Sequence, residues 1–119
     1  MSPKSQSTIL HPLQNVLSLE GEVDLAQQRP MRADIESLLR RHPQLIIDLT
    51  AVTFIDCTVL GTLLWGRTRA QAFGGNVALV GPCAALSRIL ELTCLAEELQ
   101  LYPDHATAED SLRATGQVA

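Results

Sequence analysis

Aromatic residues are scarce in this chain: one Trp, one Tyr and two Phe among 119 residues. A surface that stacks single-stranded nucleic acid bases on aromatic rings is therefore not expected. Positive charge is also short. Nine Lys and Arg stand against thirteen Asp and Glu, a formal net charge of −4. A domain that neutralises many phosphates usually carries the opposite sign, so nucleic acid is not an expected partner. No apolar run approaches the ~18 residues of a membrane-spanning helix, so no membrane insertion is expected. Residues 1–8 contain no apolar stretch of the signal-peptide kind and read as a polar N-terminal tail.

Cysteines number three, at Cys57, Cys83 and Cys94. An odd, widely spaced set suits a reducing cytosol better than a disulfide framework, and the expected localisation is cytoplasmic. No C-x-x-C pair occurs. His11, His42 and His105 are scattered, none at ligand spacing from a cysteine. No metal site and no cofactor is expected. The phosphate loop G-x-x-x-x-G-K-[ST], the dinucleotide fingerprint G-x-G-x-x-G and the nucleophile elbow G-x-S-x-G are all missing. The chain is not expected to be an enzyme.

What is present is the patterning of one α/β domain, the size that a chain of this length supports. Residues 16–23 alternate as a half-buried strand, with a short edge strand over 9–13 weakened by His11-Pro12. After Pro30, Met31, Ile35, Leu38 and Leu39 fall on one stripe of a helix that stops at His42-Pro43. Leu45-Ile46-Ile47-Asp48-Leu49 reads as a central strand covered on both faces, followed by a second buried segment over 52–55. Asp56-Cys57-Thr58 then caps a helix carrying Val59, Leu63, Gly66, Ala70 and Phe73 on its apolar side. Gly74-Gly75 ends it. A strand over 76–80, a Gly81-Pro82 turn, a helix over 84–93 and a short strand over 99–102 come next. Thr107-Ala108-Glu109-Asp110 looks like a capping box for a last helix with Leu112 inward. The alternation implies right-handed crossovers and a mixed, mostly parallel sheet of four or five strands with about four helices. The domain is expected over 9–113, with a frayed tail over 114–119. From Leu95 onward, five acidic residues against one Arg hold the whole net charge.

The turn at Asp56-Cys57-Thr58 is the one chemically pointed place. The first turn of a helix has unpaired N–H groups and the positive end of the macrodipole, which together favour an added phosphate. The plain alternative is that Asp56 or Thr58 serves only as an N-cap. Cys57 also admits a redox or thiol-enzyme reading: a helix N-terminus lowers a thiol pKa, while adjacent Asp56 opposes it.

Three segments carry a resemblance: Glu20-Gly21-Glu22-Val23-Asp24-Leu25, Leu45-Ile46-Ile47-Asp48-Leu49 and Phe54-Ile55-Asp56-Cys57-Thr58-Val59-Leu60-Gly61. Gly74-Gly75, Val80-Gly81-Pro82 and Ile89-Leu90-Glu91-Leu92-Thr93-Cys94-Leu95 follow in order and spacing. Together, over about residues 9–113, they resemble a STAS domain of the anti-anti-sigma factor type. The resemblance implies a non-enzymatic switch. Such a protein binds an anti-sigma factor that is also a serine/threonine kinase, and is released when the kinase phosphorylates it. A phosphatase resets it. It further implies a partner surface of Asp24, Asp56, Cys57, Thr58, Val59 and Leu60. Cys57 falls on the phosphoacceptor position and Val59 on a glycine of the family pattern. A thiol is not a substrate for ordinary Ser/Thr kinase chemistry, so Cys57 is not expected to be phosphorylated. Thr58 is the substitute acceptor, but a one-residue shift along a helix turns a side chain by about 100°. Val59 reads equally as a core contact beside Leu63. STAS domains also resemble interaction modules of stress-sensing and transport-accessory complexes, the alternative to a partner-switching role.

Overall fold

Two apolar strands run side by side at the centre of the molecule, and everything else is hung from them. The computed structural model describes residues 6–10, 15–81, 83–95 and 98–116. Strand β2 (Asn15–Val23) and strand β3 (Gln44–Ile55) are parallel, as are β4 (Asn76–Val80) and β5 (Leu101–Tyr102). Strand β1 (Gln6–Leu10) is antiparallel at the edge, giving a five-stranded sheet in the order β1-β2-β3-β4-β5. The connecting helices are α1 (Gln28–Arg41), α2 (Cys57–Ala72) and α3 (Ala84–Thr93), with α4 (His105–Gly116) last. This is the expected mixed, mostly parallel α/β architecture.

The run Leu45-Ile46-Ile47 serves two cores at once because successive strand side chains point to opposite faces. Leu45, Ile47 and Leu49 join Leu17 and Leu19 of β2 beneath Met31, Ile35, Leu38 and Leu39 of α1 and Val59 and Leu63 of α2. Leu86 and Leu90 of α3 close the same side. On the opposite face Ile46 meets Val16, Ala78 and Val80 under Ala108 and Leu112 of α4. Buried Asn15 donates to the carbonyls of Leu38 (2.7 Å) and His42 (3.1 Å), tying the start of β2 to the end of α1.

Several boundaries differ from expectation. β3 is one twelve-residue strand, not two segments. Its pairing with β2 shifts register between Ser18 and Glu20 and again between Gly21 and Glu22. Each shift places one extra residue on β3, so its inward positions run Leu49, Val52, Ile55 instead of alternating. Gly21, at φ +73°, sits at the second irregularity, a backbone conformation that L side chains rarely adopt. β1 begins at Gln6, within the stretch read as a polar tail, and His11-Pro12 lies outside the described residues. A 3-10 turn (Leu25–Gln27) precedes α1, which opens at Gln28 with Pro30 in its first turn, as expected. The cap of α4 is Asp104, whose carboxylate accepts the Thr107 N–H (2.8 Å) and hydroxyl (2.8 Å); Thr107 lies inside the helix. α4 runs to Gly116, into the stretch expected to fray, and residues 117–119 lie outside the described set, as does Pro82. β5 is two residues long, with Leu99 buried ahead of it. Phe73 is 40% exposed, its ring under the Arg69 guanidinium at 5.0 Å instead of in the core.

Candidate functional site

β2 and β3 end level with each other, Val23 opposite Ile55, and each hands over at once to an aspartate. Asp56 is in extended conformation (φ −84°, ψ 143°) and its carboxylate accepts the Thr58 N–H at 3.0 Å. Its carbonyl accepts the Val59 N–H at 2.9 Å, opening α2. Asp24 does the same one strand away. Its carboxylate accepts the Ala26 N–H (2.9 Å), while the Gln27 side chain accepts the Asp24 N–H (2.8 Å), a reciprocal cap. The two caps are joined directly: the Asp56 N–H donates to the Val23 carbonyl at 3.0 Å. Two helical starts are thus presented side by side at the carboxyl ends of adjacent parallel strands, the place where open α/β sheets bind other molecules.

The six residues singled out from the sequence divide into two groups. Asp24 and Asp56 are half-buried, and Cys57 and Thr58 are exposed as the first two residues of α2. Val59 and Leu60 are not on this surface. Val59 is 0% exposed and packs with Leu63 in the core, and Leu60 is 6% exposed. This corrects their assignment to a contact surface: the helical period turns positions 59 and 60 onto the sheet. The side chain of Val59 therefore seats the helix. Asp56 supplies the N-cap, and Thr58 provides only a backbone N–H to it.

Two apolar residues that adjoin the turn in sequence are exposed, and the second corrects the reading of 52–55 as a buried segment: Val52 and Ile55 are inward, while Thr53 and Phe54 are open. Leu25 is 59% exposed and Phe54 is 52% exposed. Phe54 lies next to Ile55 on β3 and takes the opposite face, where α4 does not reach. Strict alternation from Leu45, Ile47 and Leu49 already assigns position 54 to that face; what the two register shifts change is Val52, which they turn inward. Leu25 follows the Asp24 cap directly, where apolar residues are usually assigned to the core.

Away from the turn, the charged network is structural. Glu36 of α1 receives two bonds from Arg69 of α2, at 2.9 and 2.6 Å, and one from Arg40 at 3.3 Å. The hydrogen bond from Arg69 holds its carboxyl below the usual range against a smaller opposing effect of desolvation. Asp48 of β3 pairs with His105 Nε2 of α4 at 2.8 Å and with Thr50. Burial pushes its carboxyl up, but the bonds from Thr50 and His105 outweigh this and leave it lowered. No group of three or more His, Cys, Asp or Glu that could hold a metal ion occurs among the described residues, and no helix there is long and apolar enough to cross a membrane.

The fold and the double cap define a small α/β domain whose strand-to-helix turn is open to solvent at Cys57 and Thr58. The STAS domain profile matches residues 7–108, and the chain belongs to the STAS domain family. Its backbone is similar to that of an anti-sigma factor antagonist from Mycobacterium paratuberculosis, at 25% identity and a TM-score of 0.75, over 93% of this chain and 95% of that one. It is similar also to a Thermotoga maritima protein described as a putative anti-sigma factor antagonist (21% identity, TM-score 0.79, 91% and 94% covered). A third similar fold is the Bacillus cell fate determinant SpoIIAA in its phosphorylated form (19% identity, TM-score 0.68, 91% and 99% covered).

Proposed function

We propose that this chain is a cytoplasmic anti-sigma factor antagonist. In this reading it binds a kinase-type anti-sigma factor through the turn at Asp24, Asp56, Cys57 and Thr58, and so regulates transcription by partner switching. The observation that carries the reading is the exposed start of α2. Cys57, at the position that the family resemblance gives to the phosphoacceptor, is the first residue of the helix and open to solvent. The half-buried aspartate before it is engaged in capping. Charge added at this point meets the helix N-terminus on one side and two carboxylates on the other, so a phosphate or a carboxylate here changes the local field strongly. Membership of the STAS family and likeness to antagonist folds support the class of partner.

The cysteine sets this chain apart from a phosphorylated switch. A thiol at position 57 leaves the kinase without its usual hydroxyl, so release by phosphorylation at this position does not operate. Thr58, turned about 100° along the helix, is the only neighbouring hydroxyl on the turn. The antagonist would then act as a standing binder of its anti-sigma factor. Pull-down from the native cell followed by phosphopeptide mapping tests both parts. The reading expects a kinase-type anti-sigma factor in the eluate and no phosphate on Cys57. Recovery of membrane transporters or of a large scaffold in its place points to a transport-accessory or stress-sensing module.

A further inference from the structure

The charge of this acidic chain is unevenly placed. Six of its nine basic residues, Arg29, Arg32, Arg40, Arg41, Arg67 and Arg69, lie on α1 and α2, against only Asp34 and Glu36 on the same two helices. At the start of α1 a shallow groove of about 480 Å³ is lined by Leu25, Ala26, Gln28, Arg29 and Arg32. Arg32 lies over the Trp65 ring of α2 at 4.9 Å from its centroid. Stacking holds a guanidinium in place while leaving its N–H edge available. Glu36, one helical turn beyond Arg32, is the carboxylate at the right spacing to neutralise it. Both its oxygens are already engaged by Arg69 and Arg40. Among the described residues no carboxylate pairs with Arg29 or Arg32. Beside these two cations, Leu25 exposes 59% of its surface. The groove begins one residue after Asp24.

We propose that this groove receives a segment of the protein partner that carries a carboxylate next to an apolar side chain. The Arg32 fork and Arg29 take the carboxylate, and Leu25 takes the apolar group. Planar guanidinium groups match carboxylates in bidentate geometry, and Arg with Trp forms the energetic centre of many protein interfaces. The inference rests on the partner-binding reading above, because it extends the same contact surface from the turn onto α1.

Trp65 is the only tryptophan in the chain, so its fluorescence reports on the groove through Arg32. The test titrates the full chain with a short synthetic peptide alternating glutamate and leucine, and with its glutamine counterpart. The glutamate peptide is expected to give a saturable change in Trp65 emission, weakened at least about tenfold in the glutamine peptide and suppressed by salt. Arg29→Glu leaves the Arg32–Trp65 stack intact and should weaken binding similarly; the double variant Arg29→Glu/Arg32→Glu should abolish it. Equal response to both peptides, or no response, overturns the proposal. So does a peptide-free change that grows with protein concentration, which assigns the groove to a second copy. A response to phosphatidylglycerol vesicles alone assigns it to a lipid surface and likewise overturns it. An anti-sigma factor that binds wild type and Arg29→Glu/Arg32→Glu equally would remove the groove while leaving the partner reading standing. Failure of wild type to bind any such factor would remove the partner reading itself.

Discussion

The Asp56 N–H donates to the Val23 carbonyl at 3.0 Å. This one bond aligns the end of β3 with the end of β2, so that Asp24 and Asp56 cap neighbouring helical starts. Cys57, the exposed first residue of α2, stands directly beyond the Asp56 cap.

Removing either cap should loosen this surface at a measurable cost. Asp56→Ala leaves the Thr58 N–H without its acceptor and is expected to destabilise the fold by about 1 kcal/mol, within the range usual for such caps. Asp24→Ala should cost a similar amount, because it removes half of a reciprocal cap. Urea unfolding of the two variants checks this. Unchanged midpoints would show that the caps do not hold the turn.

Two glycines should respond to alanine in opposite directions. Gly61 is exposed within α2 and a Cβ there meets nothing within 4 Å, so Gly61→Ala should stabilise by about 0.5–1 kcal/mol. A Cβ on Gly75 would lie 2.1 Å from the Pro43 carbonyl oxygen, so Gly75→Ala forces backbone apart and should destabilise by about 1–3 kcal/mol. Thermal melts of both variants decide the pair.

Acid should weaken the fold through Glu36 and Asp48. Both carboxyls are held below their ordinary values of 4.5 and 3.8. A group whose folded pKa is lowered contributes stability above its unfolded pKa and loses that contribution as pH falls through the folded value. The Tm should therefore stay level with respect to these groups above about pH 5 and fall below it. Glu36→Gln and Asp48→Asn should each lower the plateau and flatten the acid limb. A limb of unchanged steepness in both variants would contradict this account.

Thiol labelling of the native protein should separate the three cysteines. Cys57 and Cys94 are exposed and Cys83 is buried at 4% exposure. Two thiols should react with a neutral disulfide reagent before unfolding and the third only with it. Mass spectrometry of the labelled peptides identifies them. Special redox chemistry at Cys57 would require it to outpace Cys94 clearly.

Much of this architecture was legible from side-chain periodicity. The stripe Met31, Ile35, Leu38, Leu39 and the run Leu45-Ile46-Ile47 are buried as their spacing implies, because each repeats with the period of its own element. β3 was not legible as one strand. Two irregularities after Leu49 turn Val52 inward and then restore the alternation at Ile55, leaving Phe54 on the outer face. Asp104 went unrecognised as a cap because its hydrogen bonds are made to Thr107, and Thr107 carries the more familiar capping pattern. At the turn, the helix N-cap of Asp56-Cys57-Thr58 is legible from adjacent positions, while the contact role comes from the family resemblance. The burial of Val59 follows from its helical spacing to Leu63, one of the two readings it allows, while that of Leu60 depends on how α2 seats on the sheet, which no local spacing states.

The central claim is that the start of α2 faces a kinase-type anti-sigma factor. Its most direct test is calorimetric titration of that partner with wild type, Cys57→Ser and Cys57→Asp, the serine variant with and without ATP. The account predicts that wild type binds and stays bound with ATP. Cys57→Ser binds and is released as it becomes phosphorylated. Cys57→Asp, carrying charge into the contact, binds at least about tenfold more weakly. Equal affinity of wild type and Cys57→Asp would contradict the account, because the turn would then lie outside the interface.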